Sequence, residues 1–202
     1  MNALNSSSQM VKRLSLICVI ATCSSLSVFA QKDYIVTLQQ DTLRGKINSF
    51  GDNVLKFRQT DSSSNVKFQL NQLKSVYYYK SKSEYFPVRI PGEKKDLFLK
   101  RVESGKIQIY ELVRTTSFQS QYGGMASSSI RTWYAVKGDA AAVEIKTNNL
   151  LGGSRKERKD AFCDLIKDDA VLAKQFLDAN DFSFDYLQIT VRLYNSRESK
   201  SL

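Results

Sequence analysis

The stretch 76-VYYYKSKSEYFPVRI-90 decides the fold class of this chain, because its side chains alternate in character. Val76 and Tyr78 alternate with Tyr77 and Tyr79, and a similar alternation resumes after the polar SKSE segment. Successive side chains of a β-strand point to opposite faces of the sheet, so a period of two is typical of a strand. The stretch therefore predicts two antiparallel strands joined by a turn.

Two features of this stretch have further consequences. Pro87 donates no backbone hydrogen bond, which predicts an edge strand or a β-bulge. Tyr77 and Tyr79 lie on the face opposite Val76, and amphipathic aromatic side chains on a half-exposed sheet form a candidate binding surface. The alternative is a purely structural role, since cross-strand aromatic pairs stabilise a sheet by about 0.2–1 kcal/mol each.

The same period of two dominates residues 33–145, with turns rich in Ser, Asn, Asp and Gly. In the run TLRGKIN, Leu43, Gly45 and Ile47 form an apolar face opposite a polar one. The segment from Thr115 to Thr132 lacks periodicity and is rich in Ser and Gly, which predicts a mobile loop and a second candidate binding surface. We expect an antiparallel β domain over residues 31–148.

After Gly153 the hydrophobic period becomes helical. Ser154, one of Asp168 and Asp169, and Ser183 are the expected N-caps of three short amphipathic helices. The side chains expected to share buried stripes are Phe162, Leu165 and Ile166 in the first helix and Leu187, Val191 and Tyr194 in the third. The predicted fold class is α+β: an antiparallel β-roll, sandwich or partial barrel, followed by about three short C-terminal helices in residues 149–202 that pack on it.

The first thirty residues follow the signal-peptide pattern, with Lys12 and Arg13 before an apolar run and a small-residue site at its end. Cleavage is expected between Ala30 and Gln31. A lipid anchor at Cys23 is the alternative. The apolar run is shorter than the ~20 residues that span a bilayer, so the mature chain is expected to have no transmembrane segment.

Histidine is absent from the chain, which excludes several classes of function. Imidazole-dependent triads, His-ligated zinc and proximal-His haem are not possible. Cys163 is the one cysteine left after the signal peptide, and its helical pattern indicates a small apolar side chain rather than a reactive thiol. We therefore predict no catalytic residue, no metal site and no cofactor, although catalysis by a pair of carboxylates stays possible.

The charge balance is basic, at +10 for the whole chain, and removing Lys12 and Arg13 with the signal leaves +8. The run SRKERK places four cations at a helix start, where the helix dipole disfavours them: Arg155, Lys156, Arg158 and Lys159. This run is a candidate site for anionic envelope polysaccharide or lipid, and a solvated helix face is the alternative. The export signal argues against nucleic acid.

Four segments carry a resemblance that covers nearly the whole mature chain: residues 33–47, 86–112, 133–139 and 158–195. In this order they resemble segments of a family of uncharacterised secreted envelope proteins from Bacteroidota. The resemblance implies a periplasmic or envelope location and a β-rich module with a helical C-terminal region, but no activity. Members often have Asp-Cys-Pro where Ala170 and Val171 stand here, so no cysteine role transfers.

From these observations the predicted function is that of a non-enzymatic envelope interaction or binding module, whose partner is an anionic polysaccharide, a lipid or an envelope protein. The alternative is a carboxylate-dependent glycan hydrolase. Two facing, partly buried carboxylates in one cleft would favour the hydrolase, and a flat aromatic or basic surface would favour binding.

Overall fold

A computed structural model describes residues 32–51, 54–119, 123–149, 153–179 and 181–198 of the chain. The predicted signal peptide with Cys23 and Ala30, and the expected first mature residue Gln31, lie outside the described residues. The strands are β1 (Asp33–Thr37), β2 (Thr42–Phe50), β3 (Val54–Gln59), β4 (Val66–Gln69), β5 (Leu73–Tyr78), β6 (Ser83–Val88), β7 (Leu97–Glu103), β8 (Ile107–Gln119), β9 (Met125–Lys137) and β10 (Val143–Thr147). The helices are α1 (Arg155–Ile166), α2 (Ala170–Asp178) and α3 (Phe184–Glu198).

All ten of these strands belong to one open sheet, in the order β10-β9-β8-β7-β6-β5-β1-β2-β3-β4. Every neighbouring pair is antiparallel. The three helices follow the last strand in the chain. The predicted α+β class, with an antiparallel sheet and three C-terminal helices, is confirmed.

The sheet curls where β4 leads into β5. Four strand steps separate these strands in the sheet order, which is roughly 19 Å across a flat sheet. Only the 3-10 turn Leu70–Gln72 connects them, and such a turn rises by about 2 Å per residue. The strands β1–β5 therefore roll around a shared core. Its buried members are Ile35, Ile47, Leu55, Phe57, Leu70, Leu73 and Val76.

Toward the other end of the sheet order, α1 packs on β10 and α3 packs on β7 and β8, while α2 packs on α1 and α3. Ser154 and Asp169 cap α1 and α2 through their side chains, and Ser183 Oγ accepts a hydrogen bond from Tyr186 N at the start of α3. These caps are as predicted. The predicted helix stripes are also buried or half-buried, in a core that includes Phe162, Ile166, Phe176, Leu187, Val191 and Tyr194. Cys163 is half-buried at its border.

The helical region is fastened to the sheet by the side chain of Asn195 in α3. Its Oδ1 accepts from Ile107 N at 2.9 Å, and its Nδ2 donates to Ile107 O at 2.9 Å and to Ser104 O at 3.1 Å. Gly105 lies against this side chain, since a Cβ atom there would come within 2.4 Å of the Asn195 amide group. The β7–β8 turn is thus bound to α3 at a glycine that leaves room for it.

The prediction that Pro87 marks an edge strand or a bulge is wrong. β6 lies between β5 and β7, and its register with β7 is continuous through the Pro87–Phe98 pair. However, β5 pairs only with Ser83, Glu84 and Tyr85 of this strand. Pro87 therefore lies in the half of β6 that pairs with β7 alone, where one missing N–H is tolerated.

The prediction of a mobile loop from Thr115 to Thr132 is also wrong. Most of this segment belongs to a long hairpin, in which β8 and β9 stay in register as far as Gln119 and Met125. Most of its side chains are exposed on both faces of the hairpin, so no alternation of polar and apolar residues marks it as a strand. We call Val113–Gln119 and Met125–Arg131 the arm; among the described residues these segments pair with no other strand.

Candidate functional site

The outer surface of the rolled half is strongly cationic. Along β2 and β3 the inward positions are Leu43, Gly45, Ile47, Leu55 and Phe57, as the alternation predicts. The positions between them carry exposed cations, and β4 adds one more. We call these residues the cationic face: Arg44, Lys46, Lys56, Arg58 and Lys67. The three strands contain no Asp or Glu.

The register of the sheet places like charges directly opposite each other on this face. Lys46 is the cross-strand partner of Arg58, and Lys56 is the partner of Lys67. Directly opposed side chains in an antiparallel pair have Cβ atoms about 4.5–5.5 Å apart, and like charges at this distance destabilise the sheet. The fold gains nothing from this arrangement, whereas a polyanion would be attracted by it.

Gly45 lets β2 and β3 approach closely beneath the cationic face. A Cβ atom at this buried position would lie 2.1 Å from the carbonyl oxygen of Arg58 and 2.7 Å from the Phe57 ring. A side chain there would push β3 outward. The glycine therefore helps to set the spacing of the two strands that carry Lys46 and Arg58.

An open cavity of ≈ 440 Å³ adjoins the cationic face beyond the start of β1. Its charged and aromatic lining consists of Lys32, Asp33, Lys46, Arg58, Tyr78, Tyr79 and Lys80. The carboxylate of Asp33 accepts hydrogen bonds from Ile47 N and Tyr79 N, both at 2.8 Å. Four cations and one carboxylate thus line the cavity, and both oxygens of the carboxylate accept from backbone amides, so the lining is positively charged and includes two phenol rings.

The two tyrosines that were predicted to share a binding face belong to different elements, because Tyr77 lies in β5 and Tyr79 in the turn that follows it. β5 ends at Tyr78, so the alternation stops before Tyr79, which begins a 3-10 turn and lines the cavity. Tyr77 lies on the face that carries Arg44, because Tyr34 is the cross-strand partner of both residues, and its ring stacks on Tyr34 with centroids 4.8 Å apart. The Tyr34 hydroxyl donates to Glu84 Oε1 at 3.0 Å, and burial together with this carboxylate raises the pKa of Tyr34.

The basic run at the start of α1 does not join the cationic face. α1 packs on β10, whereas β2–β4 lie at the opposite end of the sheet order. Within the run, the Arg155 guanidinium lies 5.7 Å from the centroid of the Phe182 ring, and Lys159 Nζ donates to Leu177 O at 3.2 Å.

The other two members of the run differ in exposure. Arg158 is half-buried and its Nη1 lies 3.4 Å from Glu144 Oε1, whereas Lys156 is exposed. Burial and the neighbouring Arg155 and Arg158 lower the pKa of Lys146, which indicates how crowded these cations are. Three of the four cations therefore contact the protein's own groups.

The residues that sequence reasoning missed are the cations of β2, β3 and β4. The sequence feature that could have identified them is the polar face of each strand, on which every charged residue is basic. Recognising that Lys46 faces Arg58 requires the strand register, which no local pattern supplies.

A second depression lies between β7 and β8, which part beyond the Lys100–Glu111 pair. We call it the cleft; its volume is ≈ 900 Å³. Its carboxylates are both engaged, since Glu93 binds Arg114 and Asp96 binds Arg89. Within the described part of the chain, no group of three or more Cys, Asp or Glu side chains is arranged to hold a metal ion.

The fold and the site together define an α+β protein with a cationic, outward-facing sheet surface. No helix among the described residues combines the length and apolar character needed to cross a bilayer. Comparison of the chain with protein-family models, curated proteins and solved structures finds no match.

Proposed function

We propose that this protein is an exported, non-enzymatic binding module of the cell envelope that takes an anionic polysaccharide on the cationic face and the adjoining cavity. One observation carries the proposal: Lys46 opposes Arg58 and Lys56 opposes Lys67, with no acidic residue on these strands. Repulsion within each pair is relieved when a bound anion lies between the two cations.

The geometry suits an extended polyanion. Cations recur along β2 and β3 at every second residue, which is about 6.6 Å apart, and across the strands at about 5 Å. A chain of acidic sugars presents carboxylates or sulfates repeatedly over such a surface. The cavity beside Lys46 and Arg58 adds the rings of Tyr78 and Tyr79, and aromatic rings with a polar edge suit contact with sugars.

The carboxylates near these depressions support binding over the alternative of a glycan hydrolase. A pair of catalytic carboxylates stands about 5–9.5 Å apart across the scissile bond, and both members must be available to it. Asp33 is held by two backbone amides in the cavity, and the two carboxylates of the cleft bind arginines. Incubating the polysaccharide with the protein should therefore leave its chain length unchanged.

The envelope location rests on the signal-peptide pattern of residues 1–30 and on the resemblance to secreted Bacteroidota proteins. A polyanion-binding surface fits that location, because acidic polysaccharides are envelope components. Mass spectrometry of the native protein should find Gln31 at its N-terminus. A mature chain that begins at lipidated Cys23, or that retains Met1, would overturn cleavage at Ala30.

Retention on immobilised alginate and polygalacturonate tests the ligand class, with uncharged dextran as the reference. We expect retention on both acidic polymers that falls as salt rises, and none on dextran. The double variant Lys46→Gln/Arg58→Gln should lose most of this retention. The matched control is Lys167→Gln/Lys174→Gln, which removes the same charge from two exposed positions of the helical region and should be retained like the wild type.

Two results would overturn the proposal. Equal losses in the two double variants would mean that net charge alone retains the protein. Stronger binding to phosphatidylglycerol vesicles than to either polymer, lost in Lys46→Gln/Arg58→Gln, would assign the cationic face to a lipid surface instead of a polysaccharide.

A further inference from the structure

The direction of the backbone groups along β8 follows from its bonds at the turn. Gly138 N donates to Lys106 O, and Ile107 is the partner of Lys137. Antiparallel pairs alternate between hydrogen-bonded and non-hydrogen-bonded residues. Counting along β8 from Lys106, every odd-numbered residue therefore points its N–H and C=O away from β9.

Two independent contacts agree with this alternation. The N–H and C=O of Ile107 both bind Asn195, outside the β8–β9 pair. On β9, Arg131 is the partner of odd-numbered Val113, and its N–H and C=O both bind Asn148. Val113, Thr115 and Ser117 therefore present their backbone amides and carbonyls at the outer edge of the arm.

The cleft lies beside this open edge. β7 pairs with β8 only as far as Glu111, and the space that opens beyond it is lined on one side by Val113 and Thr115. The rest of the lining includes the apolar and aromatic side chains of Tyr85, Leu97 and Phe98, together with the charged segment from Glu93 to Asp96. Among the described residues, an unpaired strand edge thus lies beside a groove of ≈ 900 Å³ that is partly lined by aromatic side chains.

Natural proteins usually protect a strand edge of this kind with charged side chains, proline or a bulge. From Thr115 to Gln119 the strand contains no charged residue and no proline, and its register with β9 shows no shift. The edge is thus ready to accept another strand.

We propose that the cleft binds an extended segment of a partner protein, which adds as a strand to the β8 edge at Val113, Thr115 and Ser117. Backbone hydrogen bonds of this kind supply affinity in β-strand addition, and alternate side chains supply specificity. This interaction is separate from polysaccharide binding on the cationic face.

The charges around the cleft specify the segment. Glu93 and Asp96 are neutralised by their arginine partners, whereas Lys94 and Lys95 are exposed and form no ion pair within the described residues. The segment that fits is therefore acidic, with apolar side chains at alternate positions for contact with Tyr85 and Phe98.

Selection from a phage-displayed library of random decapeptides tests this proposal. Enriched sequences should contain more Asp and Glu than the library and should alternate apolar with polar residues. Thr115→Pro replaces an outward N–H with a proline ring and should weaken binding of the enriched peptides by at least about tenfold, through one lost hydrogen bond and a steric block. Circular dichroism and thermal melts check that each variant folds.

The matched control is Ser129→Pro. Ser129 is the cross-strand partner of Thr115 and exchanges a 2.9 Å hydroxyl hydrogen bond with it, so both variants lose the same side-chain contact. Its outward N–H lies on the opposite edge of the arm, and this variant should bind the peptides like the wild type. Every second N–H of an added strand points toward β8. Methylation of the peptide nitrogens at odd-numbered positions and methylation at even-numbered positions should therefore differ, and only one of the two should abolish binding.

Any of four outcomes would overturn the proposal: no enrichment, enrichment of basic sequences, equal binding to Thr115→Pro and wild type, or equal losses in the two proline variants. Concentration-dependent self-association that Thr115→Pro abolishes, without peptide binding, would assign the edge to a second copy of this chain.

Discussion

The Nζ atom of Lys137 lies 2.8 Å from each carboxylate oxygen of Asp168, which connects the end of β9 to the turn between α1 and α2. Tyr194 of α3 donates its hydroxyl to the same carboxylate at 2.6 Å, and Lys106 Nζ lies 3.4 Å from it. Burial raises the pKa of Asp168, but the hydrogen bonds from Lys137 and Tyr194 outweigh it and hold the pKa well below its ordinary range. This cluster joins the sheet to the turn between α1 and α2 and to α3.

Acid should weaken the fold through Asp168. Because its pKa is depressed in the folded state, its contribution is fully present above the ordinary aspartate value of about 3.9 and is lost as the pH falls below it. We expect the free energy of unfolding, measured by urea titration, to fall below about pH 4, and Asp168→Asn to flatten this decline. Parallel acid declines in the two proteins would contradict the assignment.

Alkaline pH should also weaken the fold through this cluster, because Lys137 loses its charge there. Burial lowers the pKa of Lys137, but its hydrogen bonds to Asp168 and Tyr194 outweigh this and raise the pKa above the ordinary value. Its contribution is therefore present below the ordinary lysine value of about 10.4 and is lost as the pH rises past it. Lys137→Gln should unfold with less dependence on pH above 10 than the wild type, in the same urea titrations.

Asn195→Ala should release α3 from the β7–β8 turn. The variant leaves the N–H and C=O of Ile107 without their side-chain partner, so we expect the free energy of unfolding to fall by about 1–3 kcal/mol. Lys174→Ala, on an exposed helix surface, should stay within about 0.5 kcal/mol of the wild type. If Asn195→Ala also changed stability that little, the contact would be incidental to the packing of the helices.

Gly45→Ala should strain the rolled half of the sheet. The added methyl group would lie 2.1 Å from the Arg58 carbonyl oxygen, and relief requires β3 to shift, so we expect a loss of about 1–3 kcal/mol in the free energy of unfolding. Gly124→Ala is the matched control, because its Cβ would meet no atom within 4 Å. Equal stability of the two variants would show that β2 and β3 separate without penalty.

Lys46→Thr should stabilise the protein while weakening its retention on acidic polysaccharide. Removing one member of the Lys46–Arg58 pair relieves like-charge repulsion, which predicts a gain of about 0.2–1 kcal/mol in the free energy of unfolding. Lys100→Thr is the matched control, because Lys100 opposes Glu111 and its loss should slightly destabilise the sheet. A loss of stability in Lys46→Thr would mean that the pair does not repel.

Local sequence patterns determined the elements that bury one side and expose the other. Leu43, Gly45 and Ile47 alternate with polar residues, and Ser154 and Asp169 precede helices with periodic apolar stripes. In these elements the side chains that contact the core recur with the period of the backbone structure, which is two in a strand and 3.6 in a helix. The class of fold and the helix starts could therefore be predicted.

The arm could not be predicted in this way. Thr115 and Ser129 form a regular rung of β8 and β9, yet both side chains are exposed, so packing imposes no alternation on that segment. The hairpin is specified by the register that begins deeper in the sheet, at Ile107 and Lys137. Its strands continue because each rung positions the next, which is a property of the paired backbone rather than of these side chains.

The sequence by itself determined that β2 and β3 carry cations at alternate positions. These cations stand between Leu, Gly, Ile and Phe residues, whose alternation marks them as the inward positions. Only the tertiary structure decided that Lys46 opposes Arg58, that the rolled half places a cavity beside them, and that β5 ends before Tyr79. The physical reason is that a side chain's face follows from its own strand, whereas its neighbours follow from strand register, which depends on residues distant in the chain.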